Sequence, residues 1–253
     1  MLIGLSNNVT NTKLPPGASL VALPQQGSLV ARFAASDLAL SNGASIASWT
    51  DGKNGIVAVQ ATGGAQPTFA TNQLGGKPCV KMNGSQYMTI AAPGAMKTAI
   101  DSLEYTVMIV ARIQGSTTLG QLFSAATPSS EIFSFQGDGA RLGRFSSGAV
   151  PYTATNQFVT VGMTQTNSGN AYSPFAKIQR HYVNGGCVYG QINSSYATSG
   201  NFQIGGIGAQ YFPNADIFEI LVWNKILTPT EYLQAEMAIR DKYAQAYPWA
   251  AKT

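Results

Sequence analysis

Two-residue turn signals recur along this chain at short intervals, and they limit its fold more than any other feature. Asn42-Gly43, Asp51-Gly52, Gly63-Gly64, Asn83-Gly84, Asn184-Gly185 and Gly205-Gly206 each offer residues that tolerate the positive φ of tight hairpins. Between them lie apolar runs of strand length: LVARF (29–33), GIVAVQ (55–60), YMTI (87–90), YTVMIVARI (105–113), EIFSF (131–135), FVTVGM (158–163), KIQRHYV (177–183) and DIFEILVW (216–223). Hairpins in series build antiparallel sheets, and 253 residues suit one large β domain. No internal repeat and no second composition regime marks another.

Hydrophobic residues make up 45% of the chain, enough for a sizeable core, whereas charged residues make up only 10%. The usual charged share is about 25%, so Ser, Thr, Asn, Gln and Gly must finish the surface. The net charge of +4 rests on scattered cations, Lys177, Arg180 and His181 being the nearest to a cluster. A nucleic-acid partner is therefore not expected. No stretch approaches the ~18 apolar residues of a membrane span. The N-terminus lacks the basic start and apolar stretch of a secretory signal, so cytoplasmic synthesis and no membrane insertion are expected. Cys79 and Cys187 sit in apolar strand-like runs without metal-type spacing, and buried free thiols are favoured over a disulfide.

Residues 1–27 read as an extended arm, punctuated by Asn7, Asn8, Asn11, Pro15, Pro16, Gly17 and Pro24. Leu2, Ile3, Leu5, Val9 and Leu14 make it too apolar for a free tail, so it is expected to strap onto its own sandwich or a neighbouring subunit. At the other end, Thr228-Pro229-Thr230-Glu231 is a capping box with proline at the first helical position. Tyr232, Ala235, Ile239, Tyr243 and Ala246 follow on one stripe, predicting a helix over about 228–246, ended by Pro248.

ARFAASDLALSNGASIASWTDGKNG (31–55), AQPTFATNQLGGKPCVKMNGSQYMTI (65–90), HYVNGG (181–186) and NADIFEILVWNKILTPTEYLQAEMAIRDKYA (214–244) together carry a resemblance. It spans about residues 29–245. The chain resembles the laminin-G-like domains of the concanavalin A-like lectin-glucanase superfamily, of the kind found in bacteriophage virion and bacterial surface proteins. The resemblance implies an all-β fold: a two-sheet antiparallel jelly-roll sandwich over residues 28–253, with one C-terminal helix. It also implies carbohydrate or protein binding, without naming the ligand.

The residues argue against catalysis. Glucan-cleaving members of that superfamily carry a Glu-x-Asp-x-x-Glu strand, and retaining hydrolysis needs carboxylates about 5–5.5 Å apart. Here Asp216 and Glu219 are the nearest candidates, and strand alternation points them to opposite faces unless a bulge intervenes. His181 is the sole histidine and reads as a strand-surface residue; no Gly-x-Ser-x-Gly elbow exists. GGKP (75–78) and GGIGAQ (205–210) lack the residues of a phosphate loop. No cofactor is expected, apart from a Ca²⁺ that the resemblance allows. Asp51 and Asp138 are its candidate ligands, with solvated turn aspartates as the plainer alternative.

Sugars stack on aromatic rings beside polar partners. Tyr152, Tyr172, Tyr189, Tyr196 and Tyr211 lie in polar stretches and are the candidate ligand-binding residues, though each could equally be a core lid or a subunit contact. Trp49 and Trp223 read as core, and Trp249 as a contact residue. The reading reached is a non-enzymatic binding or structural protein. It is expected on a bacteriophage virion as a decoration, fibre or tail component, as a homo-oligomer or with other virion subunits, and with host polysaccharide as its ligand. A carbohydrate-binding module of a bacterial surface or exported protein is the alternative, with a glycan-cleaving enzyme behind both.

Overall fold

The computed structural model describes residues 21–114, 120–125, 131–135, 141–143, 150–151, 158–166, 177–192, 201–206 and 211–245. These form sixteen strands and two α-helices. In chain order the first strands are β1 (Leu29–Ala34), β2 (Ser48–Thr50), β3 (Val57–Val59), β4 (Thr68–Leu74), β5 (Lys77–Asn83) and β6 (Met88–Ile90), followed by α1 (Gly94–Asp101). Then come β7 (Tyr105–Ile113), β8 (Gly120–Ala125), β9 (Glu131–Phe135), β10 (Arg141–Gly143), β11 (Val150–Pro151) and β12 (Phe158–Thr166). The chain closes with β13 (Lys177–Val183), β14 (Gly186–Ile192), β15 (Phe202–Ile204), β16 (Asn214–Trp223) and α2 (Pro229–Lys242).

The strands divide into two antiparallel sheets. One is ordered β14-β13-β12-β7-β16-β5-β4, with β1 also on β16; the other is ordered β11-β10-β9-β8-β15-β6-β3-β2. Their facing sides share one core, to which Phe33, Val80, Ile109 and Val161 come from the first sheet and Trp49, Ile90, Phe123 and Phe202 from the second. Trp49 is fully buried there: its edge meets Phe33 at 5.6 Å and its indole N–H donates to the Ala34 carbonyl at 3.3 Å. The molecule is a β-sandwich.

A second apolar cluster lies on the outer face of the first sheet, where α2 covers it. Tyr232, Ala235, Ile239 and Tyr243 meet Met108, Phe218, Leu221 and Trp223. The middle strands of this sheet are thus buried on both faces. That is why β7 and β16 read as continuous apolar runs rather than alternating ones.

The capping box forms as read: Glu231 N–H donates to the Thr228 hydroxyl at 3.2 Å, and Thr228 N–H donates to the Glu231 carboxylate at 2.8 Å. The helix stops at Lys242, short of the expected 246, because Ala244 adopts a left-handed φ of 52°. Helix α1 was not expected, although Met96, Ala99 and Ile100 bury at helical spacing. Asn184 and Gly185 both take positive φ and close the β13–β14 hairpin as two loop residues. Gly52, Gly63 and Gly64 do not take positive φ; Gly63 and Gly64 instead open a short 3-10 turn.

His181 is another correction. It is buried, not on a strand surface, because β13 continues a sheet that is covered on both sides. Burial lowers its pKa to about 4. Cys79 is free and buried beneath α2, and burial raises its thiol to about 12; the Cys187 side chain lies outside the described residues. Among the described residues no helix is long and apolar enough to cross a membrane.

Candidate functional site

β16 shares one edge between two partners: β5 pairs with Asn214–Ile217, and β1 pairs with Glu219–Trp223. On the opposite edge, β7 matches Ile217 with Ala111 and Glu219 with Val110, which leaves Phe218 as a bulge. The extra residue turns Glu219 to the outer face of the sheet, the face that also carries Asp216. The expectation that these two acids point apart is therefore corrected.

Both carboxylates are fully buried, and each is compensated by cations. Asp216 is held by Arg112, whose Nε lies 2.7 Å away, by Gln114 at 2.9 Å and by Lys81 at 3.7 Å. Glu219 accepts from Arg32 Nε at 2.6 Å, from the Lys242 ammonium and from the Tyr243 hydroxyl at 3.1 Å. Burial lowers the Arg32 pKa, but the groups around it, Glu219 foremost with Asp37 and Tyr243, together outweigh that and the net shift is upward. Lys242 is lowered by burial, partly offset by Glu219. Tyr243 is raised by burial and by the adjacent carboxylate, so its hydroxyl stays protonated as a donor.

Arg32, Glu219 and Lys242 line a cavity of about 580 Å³ between β1, α2 and the end of the arm. Its apolar lining comes from Val21 and Leu23 of the arm, Leu29 of β1 and Ile239 of α2. The charged lining residues are Arg32, Lys53, Lys77 and Lys242 with the carboxylate of Glu219, a net of three positive charges, and Asp37 pairs with Arg32 at 3.8 Å from beside the lining. Among the described residues, neither Lys53 nor Lys77 forms an ion pair.

Asp51 positions one of these cations. Its carboxylate accepts from the backbone amides of Arg32 (3.1 Å), Lys53 (2.7 Å), Asn54 (3.2 Å) and Ile56 (2.6 Å), clasping the loop that carries Lys53. These four amides use the oxygens that a calcium ion would need, so this carboxylate does not fit as a Ca²⁺ ligand. The described residues hold no cluster of three or more His, Cys, Asp or Glu side chains suited to a metal. Lys77 is placed by the Gly75-Gly76 turn, where a β-carbon on Gly75 would stand 2.5 Å from the Tyr243 carbonyl oxygen.

The aromatic candidates are not gathered at this cavity. Tyr211 sits before β16 with a φ of 55°, its carbonyl accepting from Gln121 on the second sheet, and it does not line the cavity. Tyr189 lies on β14, opposite Arg180. Tyr152, Tyr172, Tyr196, Asp138, Trp249 and the arm residues Leu2, Ile3, Leu5, Val9 and Leu14 lie outside the described residues. Sequence reading missed Arg32, Lys53, Lys77 and Lys242. Its available signal was a lone arginine in LVARF and a lone glutamate in DIFEILVW, since charges inside apolar strands need partners.

No family model and no curated protein sequence matches the chain. Solved structures do. Trypanosoma rangeli sialidase, in complex with sialic acid, aligns at a TM-score of 0.60 with 15% identity, over 86% of this chain and 34% of that one. This chain thus spans about a third of the sialidase. Domain 4 of AbnA, a GH43 extracellular arabinanase from Geobacillus stearothermophilus in complex with arabinotriose, aligns at 0.52 with 15% identity, over 83% of this chain and 98% of the domain. The receptor-binding domain of botulinum neurotoxin C/D mosaic serotype aligns at 0.54 with 10% identity, over 83% and 51%. At such identities the likeness is one of fold.

Proposed function

We propose that this chain is a non-catalytic, carbohydrate-binding β-sandwich of the concanavalin A-like, laminin-G-like kind, jelly-roll wound. The observation that carries the reading is the cavity beside α2, whose lining joins apolar side chains to arginine and lysine donors. Its size falls within the roughly 300–1,000 Å³ of small-ligand sites. The sandwiches it resembles support it, since the arabinanase domain was solved with arabinotriose and the sialidase with sialic acid. The non-catalytic reading is supported by Asp216 and Glu219, each engaged by cations and so poorly suited to act as a proton donor or nucleophile. A glycan array tests this directly: saccharides are retained without release of reducing ends. An array on which nothing is retained, or cleavage abolished by Glu219→Gln, overturns the reading.

The sandwich is displayed, in this proposal, on a bacteriophage virion, with residues 1–20 strapping a neighbouring subunit. The low charge and apolar arm support this placement. Light scattering tests the strap: deletion of residues 1–20 abolishes assembly, and unchanged assembly overturns it. A module of a bacterial exported protein is the second reading. It is favoured by the match to nearly the whole of a domain from an extracellular arabinanase.

A further inference from the structure

We infer that the cavity beside α2 selects acidic saccharides and binds their carboxylate or sulfate group through Lys53 and Lys77, an inference that rests on the carbohydrate-binding reading. Charges are scarce in this chain, and its net charge is only +4. The lining of one cavity nevertheless carries a net of three positive charges, its four cations outnumbering one carboxylate.

The four cations are not equivalent. Arg32 and Lys242 are committed to Glu219 and tie the helix to the sheet. Lys53 and Lys77 have no carboxylate partner among the described residues, and the Lys53 ammonium reaches only the Gln26 carbonyl, at 3.1 Å. They enter from two separate segments, the loop clasped by Asp51 and the start of β5, and converge on the same space. Each segment is held rigid, one by four amides on a buried carboxylate and the other by a glycine hairpin pressed under Tyr243. Two cations with unused donors, carried on backbone segments that are held in place, are a receptor for an anion rather than an internal ion pair.

The apolar part of the lining decides what carries the anion. Val21 and Leu23 belong to the same lining as the lysines and keep part of their surface exposed. A free inorganic anion gains nothing from them, whereas a sugar ring lays its C–H face there while its charged substituent meets the ammonium groups. The ligand that uses both parts of the lining is a saccharide bearing a negative group.

The test titrates the full chain by calorimetry with uronate- or sialate-bearing oligosaccharides, with sulfated ones, and with carboxyl-reduced counterparts. Wild-type protein is compared with the Lys53→Gln/Lys77→Gln double variant. Charge-assisted hydrogen bonds predict a loss of about tenfold to a hundredfold on reduction of the carboxyl or in the double variant. Binding that also weakens with added salt fits the same account. The carboxylated and sulfated arms identify which group is taken. Equal affinity for neutral and acidic saccharides, or an undiminished double variant, overturns the cavity's role and leaves the carbohydrate reading standing. Binding of inorganic sulfate alone, or of nothing, overturns both. A melting temperature of the double variant equal to wild type confirms that a lost affinity is not a lost fold.

Discussion

Asp216 and Glu219 stand on the same face of β16, because the inserted Phe218 cancels the alternation that would have separated them. Their environments then diverge. Asp216 is neutralised within the sheets by Arg112 and Lys81, whereas Glu219 is neutralised across layers by Arg32 of β1 and Lys242 of α2. One carboxylate completes a sheet; the other joins the sheet to its helix.

Glu219→Gln should therefore destabilise the protein by about 1–3 kcal/mol, since it strips two cations of their shared partner. Arg32 and Lys242 retain some solvent access, which keeps the figure below that of a wholly buried pair. Urea denaturation measures it. An unchanged midpoint would mean that the helix is held by its apolar stripe alone.

Two adjacent glycines offer a differential test. Gly75 has a φ of 52° and lies under the Tyr243 backbone, whereas Gly76 has a φ of 73° with open space around it. Both alanine substitutions incur about 1–2 kcal/mol of left-handed strain. Only Gly75→Ala adds a backbone collision, so it should lower the melting temperature further than Gly76→Ala. Equal losses would show that the C-terminus of α2 yields freely.

Thr228→Ala removes the hydroxyl that caps Glu231 N–H and should cost about 0.5–2 kcal/mol. Thr228→Ser should restore most of it. Thermal melts of the two variants decide the matter, and equal melting would remove the cap from the account.

His181 predicts an acid limb in stability. Its folded-state pKa is about 4, lowered from 6.5 by burial, so the unfolded chain binds the proton first. The stabilisation is complete above about pH 6.5 and is lost as the pH falls through the window from 6.5 to 4, by at most roughly 3 kcal/mol. Glu236, whose carboxyl is raised by burial, moves in the opposite sense with acidification. Comparison with His181→Gln isolates the histidine: the variant should show a flatter profile between pH 6.5 and 4. Parallel profiles would contradict the assignment.

The end of the arm belongs to the sandwich. Trp223 Nε1 donates to the Pro24 carbonyl at 3.1 Å, Gln234 donates to the Ala22 carbonyl at 3.2 Å, and Leu23 packs against the cluster under α2. Deleting residues 1–27 should therefore lower the melting temperature and red-shift the tryptophan emission further than deleting residues 1–20 does. Identical melting of the two truncations would release residues 21–27 from this role.

What the sequence determined by itself was local. The capping box spans four consecutive residues, and the Asn184-Gly185 hairpin spans two, so their geometry is written in their own side chains and φ preferences. Tyr105–Ile113 was legible as a strand because a β-branched and aromatic run fits a pleated sheet. What only the tertiary structure decided was which faces were covered and which distant residues met. The Phe218 bulge depends on the register of a pairing more than a hundred positions apart in sequence, which no local pattern encodes. His181 carries the same alternation as an exposed strand residue and is buried because helix and second sheet close over both faces. Arg32, Lys53, Lys77, Glu219 and Lys242 are scattered along the chain. They form one cationic cavity because β1 and β5 share an edge of β16, and α2 folds back over all three.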